Sequence, residues 1–179
     1  MRIHMETRTA KSPNHQSVSK PSSIFKRILV AIDGSESASR AASAALELAD
    51  KLGAELIILH AVSPPSTAYK GALPSLGATA PPPAPQEEID AYYSYAKRVA
   101  TGIMAGTISE AKKRGVQVKT EIPEGVSSVV ETIINHASRD NVDLIVVGTR
   151  GLGGFRKLLI GSVSSGVVTH ASCPVLIVR

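Results

Sequence analysis

The stretches RILVAI at residues 27–32 and LIILHAV at residues 56–62, with the segment between them, decide the fold. Both runs are short, apolar and rich in β-branched residues, which is typical of buried strands. Between them, DGS at residues 33–35 favours a turn, and small or apolar residues then recur at helical spacing over residues 35–52 until Gly53. A strand, a helix and a second strand with short connections predict a right-handed parallel βαβ unit.

The same alternation continues to the end of the chain. The further predicted elements are a helix over residues 87–114 ended by Gly115, a strand over 116–122, a helix around the apolar stripe 129–137, a strand over 143–147, a helix over 162–171 and a strand over 175–179. Polar and apolar residues alternate over 116–122, which places that strand at an edge of the sheet. Ser128 and Glu131 match a capping box. We therefore predict an α/β fold, an open, doubly wound sheet of five mainly parallel strands with helices on both faces.

Two segments stand apart from this alternation. Residues 1–24 predict a disordered basic leader, because six basic residues and one acidic residue within 1–27 account for the net charge of +5. Residues 63–86 are rich in proline and carry no periodic pattern, which is typical of either a functional lid or a disordered insertion. Residues 25–179, which include this insertion, are predicted to form one domain.

Composition limits the classes of function. No run approaches the roughly 20 apolar residues that span a membrane, and the first twenty residues lack the apolar core of a secretory signal. The single cysteine, Cys173, allows no internal disulfide, so the cytoplasm is the expected compartment. The leader has no aromatic residue before Phe25 and no dense basic cluster, which argues against nucleic acid as a partner. Its serines and its single acid also fit an organelle transit peptide, the less favoured alternative.

The stretch GTRGLGGFRKLLIGS at residues 148–162 follows a predicted buried strand and leads into the last predicted helix. Ligands of open α/β sheets bind at the carboxyl ends of strands, and a helix N-terminus offers unpaired N–H groups and a partial positive charge. The sequence therefore predicts a phosphate seat at residues 161–164, to which the hydroxyls of Ser162 and Ser164 add donors. Arg150, Arg156 and Lys157 would offset phosphate charge. Neither the P-loop spacing nor the dinucleotide-binding fingerprint occurs here.

The spacing Gly148-x2-Gly151-x9-Gly161-Ser162 resembles the ATP-binding signature of the universal stress protein family. Residues 31–35 resemble the opening strand and turn of that family, and residues 171–178 resemble its closing strand. The likeness covers residues 25–179 in the right order. It implies the adenine nucleotide alpha hydrolase-like sheet with strand order 3-2-1-4-5. It also implies ATP or a related adenine nucleotide as ligand, with Mg²⁺ or Mn²⁺, and a homodimer joined through the C-terminal strand.

The resemblance further implies which residues contact the nucleotide. Asp33 approaches the nucleoside, Ala31 and Ile32 line the adenine pocket, and Ala61 widens a wall where valine is frequent in the family. The residues implied to meet the ribose and the phosphates are Val147, Gly148, Arg150, Gly151, Gly161, Ser162, Val163 and Ser164.

Other interpretations of single residues remain open at this point. Asp33 also suits the N-cap of the following helix. His60 and His170 have no second ligand candidate at metal-binding spacing and are interpreted as structural. Cys173 is interpreted as a buried thiol. The tyrosines of the long predicted helix, at positions 92, 93 and 95, are expected to pack within the protein.

Three functions remain open. The first is a regulatory ATP binder whose nucleotide state alters dimer or partner contacts. The second is a slow ATPase or phosphotransfer enzyme, although the predicted topology places no carboxylate near the site except Asp33. The third is an interaction protein that works without nucleotide, through the leader and the proline-rich segment.

Overall fold

A computed structural model describes residues 24–65, 84–152 and 160–179. The predictions for the leader, for most of the proline-rich segment and for Arg156 and Lys157 lie outside these residues. The elements are β1 (Arg27–Ala31), α1 (Glu36–Leu52), β2 (Glu55–Leu59), α2 (Gln86–Arg114), β3 (Val118–Glu121), α3 (Val129–Arg139), β4 (Leu144–Gly148), α4 (Ser162–His170) and β5 (Val175–Val178). Among the described residues, no helix is both long and apolar enough to cross a membrane.

The five strands form one sheet in the order β3-β2-β1-β4-β5, with every neighbouring pair parallel. At the centre, Ile28 of β1 pairs with Leu56 of β2 on one side and Leu144 of β4 on the other. Leu29 and Ile57 have no exposed surface because helices cover both faces of the inner strands, which is why these strands are unbroken apolar runs. The predicted fold class, the strand order and the edge position of β3 are confirmed.

The helices form two layers. In the layer of α1 and α2, Met104 of α2 packs with a stripe of α1 that is buried through small side chains, namely Ala38, Ala41, Ala42, Ala45 and Ala49. Alanine lets the helix axis come close to the sheet, so α1 lies directly on β1 and β4. On the opposite face, Ile133 of α3 and Val167 of α4 fill a second core.

Local sequence signals fix the helix ends. Gly53 and Gly115 end α1 and α2 in the left-handed conformation, at φ of 66° and 71°, where side chains other than glycine are strained. The Ser128 side chain accepts from the N–H of Glu131 at 3.2 Å, which is the first half of the predicted capping box.

The predicted second strand is too long at its carboxyl end, because β2 stops at Leu59 rather than residue 62. The next residues still bond the end of β3 and the chain beyond it, through His60 N to Glu121 O at 3.0 Å and Val62 N to Pro123 O at 2.8 Å. Pro123 has no N–H to return a ladder bond, so regular pairing ends there.

Candidate functional site

A cavity of about 160 Å³ lies at the carboxyl ends of β1, β2 and β4, beneath α3 and α4. Ten of the residues implied by the resemblance line it, namely Ala31, Ile32, Asp33, Ala61, Val147, Gly148, Arg150, Gly151, Val163 and Ser164. Gly161 and Ser162 lie outside the lining, at the N-terminal end of α4. The structure therefore brings together segments that are more than 100 residues apart in the chain.

Part of the apolar wall was missed by sequence reasoning. Val129 and Ile133, one helical turn apart on α3, line the cavity together with Leu59 and Ala38. The sequence signal for Val129 and Ile133 was their helical periodicity, which assigns them to a core stripe. Periodicity cannot tell whether such a stripe packs fully on the sheet or leaves a space beside it.

Asp33 joins the turn after β1 to the glycine-rich segment. Its Oδ1 accepts from the N–H of Ser35 at 2.9 Å, and its Oδ2 accepts from the N–H of Leu152 at 3.1 Å. The N-cap of α1 is Ser35, whose Oγ accepts from the N–H of Ala38 at 3.2 Å. The alternative interpretation of Asp33 as that N-cap is therefore wrong, and its carboxylate instead positions backbone from two sides of the cavity.

Two positions of the site, Gly148 and Gly151, require glycine because neighbouring atoms lie too close to leave room for a Cβ. A Cβ on Gly151 would lie 2.7 Å from Oδ2 of Asp33. A Cβ on Gly148 would lie 2.6 Å from Oγ of Ser37 and 2.8 Å from the backbone nitrogen of Ala38. Gly148 thus lets the first turn of α1 sit against the end of β4.

The backbone of Arg150 is held by Ser37, a buried residue that sequence reasoning missed. Arg150 donates its N–H to Oγ of Ser37 at 3.3 Å, and the Ser37 hydroxyl donates back to the carbonyl of Arg150. The Arg150 side chain is exposed, and it has no ion-pair partner in the described part of the chain. A fixed backbone with a free guanidinium suits a residue that meets an anion at the rim of the cavity.

The N-terminus of α4 is left open towards the cavity. Gly161 is the N-cap, no described side chain caps this end, and the first turn contains no acid. The N–H of Gly161 donates to the carbonyl of Thr149 at 2.7 Å. The other N–H donors of the first turn, those of residues 162–164, have no hydrogen-bond partner among the described residues.

The two serines of that turn differ. Ser164 is buried, and its hydroxyl donates to the carbonyl of Gly148 at 2.6 Å, so the expected hydroxyl donor to phosphate is committed within the protein. Ser162 is exposed, and its hydroxyl makes no hydrogen bond with the described residues. Of the two predicted hydroxyl donors, only that of Ser162 has no partner within the described part of the chain.

The structure also shows the surroundings of His60, Cys173 and the three tyrosines, whose roles were interpreted from the sequence. His60 donates from Nδ1 to the carbonyl of Ile32 at 2.9 Å, since a carbonyl can only accept, and so ties the end of β2 to that of β1. Cys173 is only partly buried, whereas a buried thiol was predicted. This partial burial raises the pKa of the thiol, which fits an unreactive side chain. Tyr92 and Tyr93 pack edge to face with ring centres 5.4 Å apart, whereas Tyr95 is exposed, so the packing prediction holds for two of the three tyrosines.

Comparison with known proteins places this geometry in a family. A family model described as the universal stress protein family matches residues 24–179. A universal stress protein of Bacillus subtilis is 36% identical over 156 residues, which cover 87% of this chain and 100% of that protein. The solved structure of a universal stress protein from Lactobacillus plantarum is 28% identical, with a TM-score of 0.63, and the match covers 87% of this chain and 98% of that one. A universal stress protein solved in complex with cAMP is 25% identical, with a TM-score of 0.60, over 88% of this chain and 98% of that one.

Proposed function

Because this chain belongs to the universal stress protein family, we propose that it binds ATP or a related adenine nucleotide in the cavity beside Asp33. The base lies between Ile32, Ala61 and the α3 wall, and the phosphates lie at the N-terminus of α4. The structural neighbour solved with cAMP supports an adenine nucleotide as the class of ligand.

One observation carries the proposal. An apolar cavity opens beside a helix N-terminus that has unpaired N–H groups, no described side-chain cap and no acid in its first turn. A flat apolar base and a polyanionic tail need these two environments side by side. Arg150 at the rim of the cavity supplies a cationic side chain for the phosphates.

The site supports binding without efficient turnover. Asp33 is the one carboxylate among the described residues that line the cavity, and both its oxygens already accept backbone N–H groups. A hydrolase needs a positioned base or metal ligands in addition to a phosphate seat.

We propose that Mg²⁺ or Mn²⁺ enters with the phosphates, since hard divalent cations are commonly held largely by phosphate oxygens and water.

The binding proposal is tested by calorimetric titration of the full chain with ATP, AMP and cAMP. Ala61→Leu places a larger side chain in the cavity, and we expect it to weaken ATP binding at least about tenfold, or about 1.4 kcal/mol. The matched control is Ala105→Leu, the same substitution at an exposed position of α2. Equal affinities for the two variants, or no heat of binding with any of the nucleotides, would overturn the proposal.

Two hydrogen bonds that connect the start of α4 to β5 support a regulatory role. Gly161 N bonds the carbonyl of Thr149 at 2.7 Å, and Thr149 N bonds the carbonyl of Val178 at 2.8 Å. These two consecutive bonds connect the start of α4 to β5 at the edge of the sheet. We propose a cytoplasmic regulator whose nucleotide state changes the contacts made by that edge.

The proposed contact at that edge is a homodimer joined through β5. The strand is short and apolar, and Leu176 is 37% exposed. Apolar strand edges tend to be covered by another chain. In light scattering we expect a dimer for the native chain, a monomer for Leu176→Lys, and a dimer dissociation constant that changes on addition of ATP. A native monomer at micromolar concentration contradicts the dimer.

A further inference from the structure

Glu121, His136 and Asp140 form a cluster of metal-ligating side chains away from the nucleotide cavity. Glu121 ends the edge strand β3, while His136 and Asp140 are four residues apart on α3 and its C-cap, so they share one helix face. One ligand atom from each residue lies within 4.8 Å of the other two. The set combines one imidazole with two carboxylates.

The position between the two carboxylates already accepts a cation. The Lys119 ammonium lies 3.0 Å from a carboxylate oxygen of Glu121 and 3.0 Å from one of Asp140. Arg139 contacts the same two carboxylates at 2.9 and 3.0 Å. An ammonium held by two carboxylates shows that the geometry favours positive charge at this point.

His136 is not accounted for by this ion-pair network. Its Nδ1 is buried and has no hydrogen-bond partner among the described residues. A buried ring nitrogen without a partner is unfavourable, and in native structures it calls for an explanation such as a bound ion. A metal binds an imidazole in its neutral form, through a ring nitrogen that carries no proton.

We propose that Glu121, His136 and Asp140 bind a divalent transition-metal ion of the zinc class, which displaces the Lys119 ammonium. Zinc–nitrogen and zinc–oxygen bonds of about 2.0–2.2 Å place neighbouring ligand atoms about 3.5 Å apart, so the three atoms draw together by about 1 Å. Side-chain rotations supply such a movement. Water completes the tetrahedral shell. Arg139 keeps the hydrogen bond from its Nε to the other oxygen of Asp140, Oδ1, at 3.1 Å, which orients that carboxylate.

The ligand chemistry selects the ion. An imidazole with two carboxylates suits zinc and its neighbours in the transition series, whereas Mg²⁺ and Ca²⁺ prefer oxygen ligands alone. The site links the edge strand β3 to α3, and α3 also supplies Val129 and Ile133 to the proposed nucleotide cavity. The metal site nevertheless rests on its own residues and stands whether or not the cavity binds nucleotide.

Two titrations of the metal-free, nucleotide-free full chain test the site. Zn²⁺ binding is measured by calorimetry, and Co²⁺ binding is followed by visible absorption. The native chain is expected to bind at submillimolar metal, and His136→Gln is expected to lose one equivalent and the absorption bands of a nitrogen-ligated cobalt ion. The matched control is His170→Gln, on α4, whose Nδ1 already donates to the carbonyl of Gly166 at 2.8 Å. Because the leader contains His4 and His15, the difference between variants, rather than the total stoichiometry, identifies the site.

Lys119→Met separates a metal site from a purely structural network of ion pairs. Removing the competing ammonium leaves both carboxylates and the imidazole in place, so we expect metal affinity to rise at least about tenfold. Circular dichroism melting confirms that each variant is folded. The proposal is overturned if the native chain binds no metal, if His136→Gln and His170→Gln bind equally, or if Lys119→Met binds no more tightly than the native chain.

Discussion

The two strand-to-helix connections at the centre of the sheet, from β1 to α1 and from β4 to α4, end in opposite ways. At α1, the Ser35 side chain caps the helix and Glu36 supplies an acid in the first turn. At α4, Gly161 is the N-cap, no described side chain caps the end, and the first turn has no acid. Both helices begin at the carboxyl edge of the sheet, where a ligand would bind.

The difference shows which helix end is left for a ligand. At α1, Ser35 accepts from the N–H of Ala38, and Glu36 offsets the partial positive charge of the helix end. At α4, no described side chain does either. An anion at α4 would complete what Ser35 and Glu36 complete at α1.

The largest expected effect is on stability, and it comes from a substitution that forces the first turn of α1 away from the end of β4. Gly148→Ala places a Cβ 2.7 Å from the backbone carbon of Ser37 and 2.8 Å from the backbone nitrogen of Ala38. Backbone atoms cannot turn aside as a flexible side chain does, so we expect a loss of about 3 kcal/mol in the free energy of unfolding, measured by urea denaturation. The control is Gly102→Ala in α2, where a Cβ meets nothing within 4 Å and stability should rise by about 0.5–1 kcal/mol. Equal effects from the two substitutions would show that the close packing of α1 on β4 is absent.

Exchanging the charge at the first residue of each helix has the next largest expected effect. Ser162→Glu puts a carboxylate where the phosphates are proposed to lie, and it should weaken ATP binding at least about tenfold in calorimetry. The same change should leave stability equal or raise it by up to about 1 kcal/mol, because an acid suits a helix N-terminus. Glu36→Ser, the converse change at α1, should leave ATP affinity unaltered. A loss of affinity in Glu36→Ser, or none in Ser162→Glu, would contradict the assignment of the seat to α4.

The smallest expected effect concerns the caps. Ser35→Ala removes the oxygen that accepts from the N–H of Ala38 and should lower the free energy of unfolding by about 1 kcal/mol. Ser162→Ala removes no cap and should change it by less than about 0.5 kcal/mol. Thermal unfolding of the nucleotide-free proteins measures both values. The comparison between the helices fails if Ser162→Ala is the more destabilising change.

The fold was predictable because its signals are local. The apolar runs at β1, β2 and β4 and the stop at Gly53 determine where strands and helices lie. The alternation around β3 correctly indicated an edge strand. Strand order came from a family resemblance rather than from these patterns.

The details of the site were not predictable in the same way, because they depend on contacts between distant segments. The bond from Leu152 N to Asp33, the close approach of Gly148 to Ser37 and the bond from Ser164 to Gly148 arise only when the sheet brings the segments together. A residue type suggests a donor or an acceptor, but only the fold decides whether the protein itself uses that group.

A crystal structure of the full chain grown with ATP would locate the bound nucleotide directly. We expect the adenine in the cavity between Ile32, Ala61 and α3, with phosphate oxygens within hydrogen-bonding distance of the backbone N–H groups of residues 162–164. A cavity filled by the protein's own side chains, or a nucleotide bound elsewhere with the start of α4 contacting only water, would contradict this expectation.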